Sequence, residues 1–172
     1  MKGTILKCIE ELVKKRFGAE KWPLILKKSG QSESLFVMTS GDYPDAQIVA
    51  IMQGASEVLG VTMDQVFEAF GDYWSTVYAP DVYQIYFKKA SNAKEFLLAL
   101  DQVHVNMTKS VPGAHPPRFT YEQKSDKYLV MKYNSARGLV VLMPALVRGV
   151  AKKFGEKVDV SVQGSDVHIK FA

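Results

Sequence analysis

Cysteine occurs once in the 172 residues, as Cys8. Disulfides and Cys-rich metal sites are therefore excluded, and a reducing compartment, the cytoplasm, is expected. Long apolar runs are also missing. The most apolar stretch, GLVVLMPALVRGV, is interrupted by Pro144 and Arg148 and falls short of the roughly 20 residues a membrane span needs. The opening MKGTILKCIEELVKKRFG places Glu10, Glu11 and Lys14 inside its apolar pattern and offers no small-residue cleavage site, so it does not read as a secretory signal. The net charge of +4 comes with basic residues in short, scattered clusters (Lys14, Lys15, Arg16; Lys27, Lys28; Lys88, Lys89; Lys152, Lys153), not in a stripe. That distribution argues against nucleic acid as a partner. No G-x-S-x-G, G-x-G-x-x-G or Walker-type lysine loop is present, and acidic residues stand singly on polar helix faces. Nucleophilic, phosphate-loop and paired-carboxylate chemistry thus have nothing to rest on, and no enzyme activity is expected.

What is present divides at a proline-rich connector. Up to about residue 110 the apolar spacing is helical: Ile5, Ile9, Leu12, Val13 and Phe17 form one stripe, ended by Gly18. Helices are also expected over Lys21 to Lys28, from about Pro44 to Leu59, over MDQVFEAFGDYWSTVY with Thr62 as cap, and over SNAKEFLLALDQVHVNMTKSV with Ser91 or Asn92 as cap. VPGAHPP then forbids helix, and the period changes to two in RFTYEQ and KYLVMKYN, a hairpin joined through KSDK. A helix from about Ala136 to Phe154, with Pro144 as a candidate kink, precedes KVDVSVQ and DVHIKFA. The expected fold is α+β. A helical part of about residues 1–110 precedes a four-stranded antiparallel sheet with an inserted helix over about 111–172, within one domain and with a ligand cavity between the two parts.

His104 lies on or beside the apolar stripe of the long helix. A helical histidine is also readable as a satisfied, partly buried side chain. His115 sits in the connector and His168 on the last strand, so neither joins His104 at the i+3 or i+4 spacing of a zinc site. One histidine is enough, however, for an axial bond to haem, whose porphyrin supplies the other four nitrogens. In KYLVMKYNSARGL, the residues Leu129, Met131, Tyr133, Ser135 and Arg137 share one strand parity. A face that begins apolar and ends in a phenol, a hydroxyl and a guanidinium could clamp paired carboxylates such as the haem propionates. An inward tyrosine followed by a polar strand end reads the same residues without a ligand.

The ordered combination of MKG with an amphipathic helix, DQVHVNMTKSVPGAHPPRF and YNSAR resembles the haem nitric oxide/oxygen binding (H-NOX) family over essentially the whole chain. The resemblance implies one haem b per chain and sensing of a diatomic gas. It assigns His104 to the iron, Tyr133, Ser135 and Arg137 to the propionates, and Pro117 to a contact that distorts the porphyrin. It aligns Ile5, Ile9, Trp74, Tyr78, Leu142 and Leu146 with the distal pocket. Leu142 then stands where oxygen-binding members carry a tyrosine, which implies binding of nitric oxide and carbon monoxide without a stable oxygen complex. The implied signal is release of His104 and haem relaxation against Pro117. Its receiver would be a separate effector such as a histidine kinase or a cyclic-di-GMP enzyme, unless the chain is the sensing end of a longer protein. An oxygen sensor using Trp74 as donor, a haem enzyme such as a nitric oxide dioxygenase, and a haem-free binding module are the alternatives.

Overall fold

Leu6, Ile9, Leu12 and Val13 recur at helical spacing and form the buried stripe of α1 (Gly3–Arg16), whose last turn sets Lys14, Lys15 and Arg16 against the negative end of the helix dipole. Gly18 follows at φ 105°, a left-handed conformation that stops the helix as expected. The computed structural model describes residues 1–110 and 113–172. Pro112 of the expected connector lies outside the described residues. Helices α2 (Lys21–Lys28), α3 (Asp45–Leu59) and α4 (Met63–Tyr73) match the expected segments within a residue or two at their N-termini. Thr62 and Gln65 form a reciprocal capping box at α4: Gln65 N–H donates to Thr62 Oγ1 at 3.2 Å, and Thr62 N–H donates to Gln65 Oε1 at 2.9 Å. Such a cap contributes about 0.5–2 kcal/mol.

By compactness the chain divides between Phe70 and Gly71. The first unit contains α1 to α3 and most of α4, and it encloses an apolar cavity of about 150 Å³ bordered by Ile9, Leu12, Met52, Val66 and Phe70 among others. The second unit begins with the last residues of α4 and a π-helical turn at Trp74–Tyr78, followed by α5 (Ala79–Val82), α6 (Gln84–Lys89) and α7 (Ala93–Ser110). Asn92 caps α7, its Oδ1 accepting the Glu95 N–H at 2.8 Å. Strands β1 (Arg118–Ser125) and β2 (Tyr128–Asn134), helix α8 (Met143–Lys153), and strands β3 (Val158–Gln163) and β4 (Asp166–Phe171) complete the unit.

The sheet is antiparallel throughout in the order β1-β2-β4-β3, with Tyr133 opposite Phe119, Leu129 opposite Ile169 and Met131 opposite Val167. These inward residues, with Phe96 and Leu97 of α7 and Val147 of α8, form one buried core. Each fully buried aliphatic side chain there contributes about 1.5–3 kcal/mol. The helical and sheet-bearing parts expected to meet near residue 110 follow element type. Compactness follows packing instead, and α7 shares its core with the sheet.

Two local expectations are corrected. Strand β2 stops at Asn134, so Ser135 and Arg137 do not continue its face; they belong to a turn that ends at Gly138, φ 66°. The helix expected from Ala136 starts later, as a 3-10 turn at Leu139–Leu142 leading into α8. Pro144 therefore sits in the first turn of α8, where its missing N–H costs nothing, and produces no kink. Among the described residues no single helix is long and apolar enough to cross a membrane.

Candidate functional site

Helix α7 places His104 one turn beyond Leu100 and two turns beyond Leu97, on the side that packs against β1. The imidazole lies 5.7 Å from the Phe119 ring, centroid to centroid, and its Nδ1 is 2.8 Å from the Pro117 carbonyl oxygen. A carbonyl only accepts, so Nδ1 must carry the proton and donate it. The neutral ring then keeps its lone pair on Nε2. Burial pushes the His104 pKa below its ordinary value, while the Pro117 hydrogen bond and the nearby Asp101 carboxylate pull it back up in part. The outcome is a neutral imidazole, oriented by a backbone acceptor, with one nitrogen ready to donate to a metal.

Asp101, three residues before His104 on the same helix face, joins α7 to β1. Its carboxylate accepts two hydrogen bonds from Arg118, from Nε and from Nη2, each at 2.7 Å, and a third from the Phe119 backbone N–H at 2.8 Å. The Arg118 guanidinium holds the Asp101 carboxyl down to about 2, against the opposing effect of desolvation. Tyr121 Oη accepts from the Asp101 backbone N–H at 3.1 Å, and burial raises that phenol to about 12. The sequence reading missed Asp101. Its i−3 spacing from His104 was the available signal.

Tyr133 is buried on β2 and meets Phe119 edge to face at 6.0 Å, so His104, Phe119 and Tyr133 form a continuous aromatic row. Ser135 and Arg137 follow in the turn, where the Arg137 N–H donates to Ser135 Oγ at 3.3 Å; both are half-buried. Pro117 is adjacent to this row through its carbonyl. The structure thus gathers His104, Pro117 and Tyr133, with Ser135 and Arg137 on the connection leaving β2.

A second group assembles where the π-helical turn packs on α8. The end of α4, just before that turn, crosses α8 at small residues: a Cβ on Gly71 would lie 2.4 Å from the Ala145 carbonyl carbon, and one on Gly149 would lie 2.4 Å from the Gly71 oxygen. Buried Ser75 ties the crossing, its hydroxyl donating to the Leu146 carbonyl at 3.2 Å. Trp74 and Tyr78 stack at 5.5 Å on the π-helical turn, and Leu142 and Leu146 lie one helical turn apart at the start of α8. These four therefore sit on two touching segments. Ile5 and Ile9 belong to the first unit: Ile5 is half-buried, and Ile9 is buried and borders the apolar cavity.

The other histidines stay apart from His104. His115 is exposed, and His168 Nδ1 lies 2.8 Å from the Tyr128 hydroxyl on β2. Among the described residues no three His, Cys, Asp or Glu side chains converge as a metal cluster.

Comparison with known proteins gives the family and the fold. The family model described as haem-NO-binding matches residues 2–162. Soluble guanylate cyclase gcy-32 of Caenorhabditis elegans is 30% identical over 170 residues, and gcy-34 of the same organism is 29% identical over 170 residues. In both cases the match covers 95% of this chain and 25% of the relative, so the chain spans about a quarter of the length of these curated relatives. Among solved structures, an S. oneidensis H-NOX protein in the Fe(II)NO state superposes with TM-score 0.88 at 18% identity, covering 100% of this chain and 99% of that one. The unliganded Fe(II) H-NOX protein of K. algicida gives 0.83 at 23% identity, covering 100% and 97%. The oxygen complex of an H-NOX domain related to soluble guanylate cyclases gives 0.80 at 24%, covering 99% and 95%. The structures establish the fold, the family match covers nearly every residue, and the chain belongs to the haem-NO-binding family.

Proposed function

We propose that this chain is a cytoplasmic, non-enzymatic gas sensor that binds nitric oxide and carbon monoxide at a ferrous haem b held by His104 and signals to an effector protein. The observation that carries the reading is the Nδ1–H of His104 donated to the Pro117 carbonyl, because it leaves Nε2 as a neutral, oriented donor. The donor set fits haem. One nitrogen from the protein suffices, and a cluster of three or more protein ligands is not required. The cysteine usage is consistent with noncovalent attachment, as in haem b: the only thiol, Cys8, is buried in the first unit and the sequence has no C-x-x-C-H stretch. When bound, haem supplies a ferrous iron that takes a diatomic ligand.

The chain's own residues do the rest. His104 would hold the iron through its free Nε2. Tyr133, Ser135 and Arg137 offer two hydroxyl donors and a guanidinium to the propionates, an arrangement that works from a strand end and turn as well as from a single face. Pro117 would press on the porphyrin through its ring, and its carbonyl orients His104. The family resemblance assigns Ile5, Ile9, Trp74, Tyr78, Leu142 and Leu146 to the distal pocket. Leu142 offers no donor there, which disfavours oxygen, a ligand that takes on negative charge when bound to ferrous haem. Were His104 freed from the group it holds, its segment of α7 would be able to move against β1 and alter a docking surface. The effector is a histidine kinase or a cyclic-di-GMP enzyme acting in trans. The chain spans 25% of the matched guanylate cyclase gcy-32, which supports a place within a larger protein as the second reading.

The test is an absorption spectrum of the reduced protein under argon, air, carbon monoxide and nitric oxide. The reading requires haem bands that shift with carbon monoxide and nitric oxide and remain those of the five-coordinate ferrous state in air. A purified chain that takes up no haem would overturn it.

A further inference from the structure

Helix α7 is tied to β1 at four points within one short stretch. Asp101 binds Arg118 through a two-pronged ion pair and accepts the Phe119 N–H. Its own N–H reaches Tyr121 Oη, and His104 donates to the Pro117 carbonyl. All four β-side partners fall within residues 117–121, and both α-side partners lie on one face of the helix. Elsewhere on α7, Lys94 near the N-terminus reaches the carbonyls of Ser125 and Asp126, at the far end of β1. Among the described residues, Asp101 gathers most of these hydrogen bonds between α7 and the segment 117–121.

We infer that Asp101 and Arg118 are positioning residues whose clasp sets how readily the His104-bearing segment of α7 moves away from β1. The functional consequence rests on His104 being the iron ligand; the clasp itself does not. The physical argument is geometric. By gripping Arg118 and the Phe119 N–H, Asp101 fixes the backbone immediately after Pro117, and so fixes the carbonyl that orients the imidazole. Any displacement of α7 along β1 must break three hydrogen bonds to one carboxylate, each charge-assisted and therefore stronger than a neutral bond. The carboxylate is 22% exposed, so it is shielded enough to hold its partners. Arg118, 56% exposed, can rehydrate when released. That combination suits a contact that opens and recloses better than one that is permanent.

The experiment is hydrogen exchange followed by mass spectrometry on the purified full chain with its haem, reduced, before and after nitric oxide. It compares wild type with Asp101→Ala, Arg118→Ala, the double variant and Arg118→Lys. Before gas, both single alanine variants should exchange the α7 amides around 101–108 roughly tenfold faster or more, with little change in α8 or the sheet. The double variant should be no faster than Asp101→Ala, since the pair acts as one unit. Arg118→Lys, which keeps a charge but loses the fork, should fall between wild type and Arg118→Ala. The same variants should shift the iron–histidine stretching frequency in resonance Raman spectra, which a merely structural ion pair would leave in place. Wild-type α7 exchange in both alanine variants would overturn the clasp. So would acceleration spread evenly through α8 and the sheet. A wild type whose α7 exchange ignores nitric oxide would instead overturn the sensing function, and the gas-free rates of the variants would still support the clasp.

Discussion

His104 and Pro117 stand 13 residues apart in sequence and 2.8 Å apart in space, the imidazole Nδ1–H donating to the proline's carbonyl. A proline contributes no backbone N–H, but its carbonyl is an ordinary acceptor. Pro117 thus has two separable parts: a carbonyl that sets the histidine tautomer, and a ring proposed to press against the porphyrin.

Substituting Pro117→Ala separates them. Alanine keeps the carbonyl, so His104 should remain oriented and haem should be retained. The porphyrin should flatten once the ring is gone. Crystal structures of the two haem-bound proteins check this, and equal planarity would remove the Pro117 ring from the account.

Arg137→Ala should speed haem loss roughly ten- to a hundredfold, corresponding to about 1.5–3 kcal/mol for a charge-assisted donor in a largely dry site. Transfer of haem to an excess of a scavenging apoprotein measures it. Equal rates for variant and wild type would assign the turn after β2 another purpose.

Asp101 supplies a pH dependence. Its folded pKa, about 2, lies below the ordinary carboxylate value of about 3.9, so folding favours the ionised form. The resulting stability is fully present above pH about 4 and is lost as pH falls through about 2. Denaturant titrations between pH 5 and 2 should therefore show a steeper loss for wild type than for Asp101→Asn. Parallel curves would mean that the Arg118 pair contributes nothing to folding.

Much of this was legible in the residues. Capping signals at Thr62 and Asn92, the glycine after α1 and the change from helical to strand period at Arg118 each reflect local chemistry that tertiary packing did not override. The end of β2 was misplaced because alternation was followed through NSARG, where Asn134, Ser135 and Gly138 are turn formers that favour leaving the strand. The π-helical turn at Trp74–Tyr78 was not legible. It lies where Gly71, Ser75, Ala145 and Gly149 pack two distant segments against each other, and single-chain periodicity carries no trace of that crossing. Arg118 and Asp101 were invisible as a pair for a similar reason: the residues are 17 apart, and only the fold brings them together.

Introducing Leu142→Tyr should raise oxygen affinity roughly ten- to a hundredfold by adding a donor to a bound ligand that carries negative charge. Oxygen titration of the reduced variant measures the gain. An unchanged affinity, together with a stable oxygen complex in the wild type, would transfer the donor role to Trp74 and convert the account to an oxygen sensor.

The central claim is that His104 is the protein's one bond to the haem iron, and His104→Gly tests it most directly. Expressed without imidazole, the variant should retain little or no haem. With imidazole supplied, it should regain haem and the ferrous absorption spectrum of wild type, because the free ring replaces the missing side chain. Haem content and a ferrous spectrum equal to wild type in the variant without imidazole would contradict the claim.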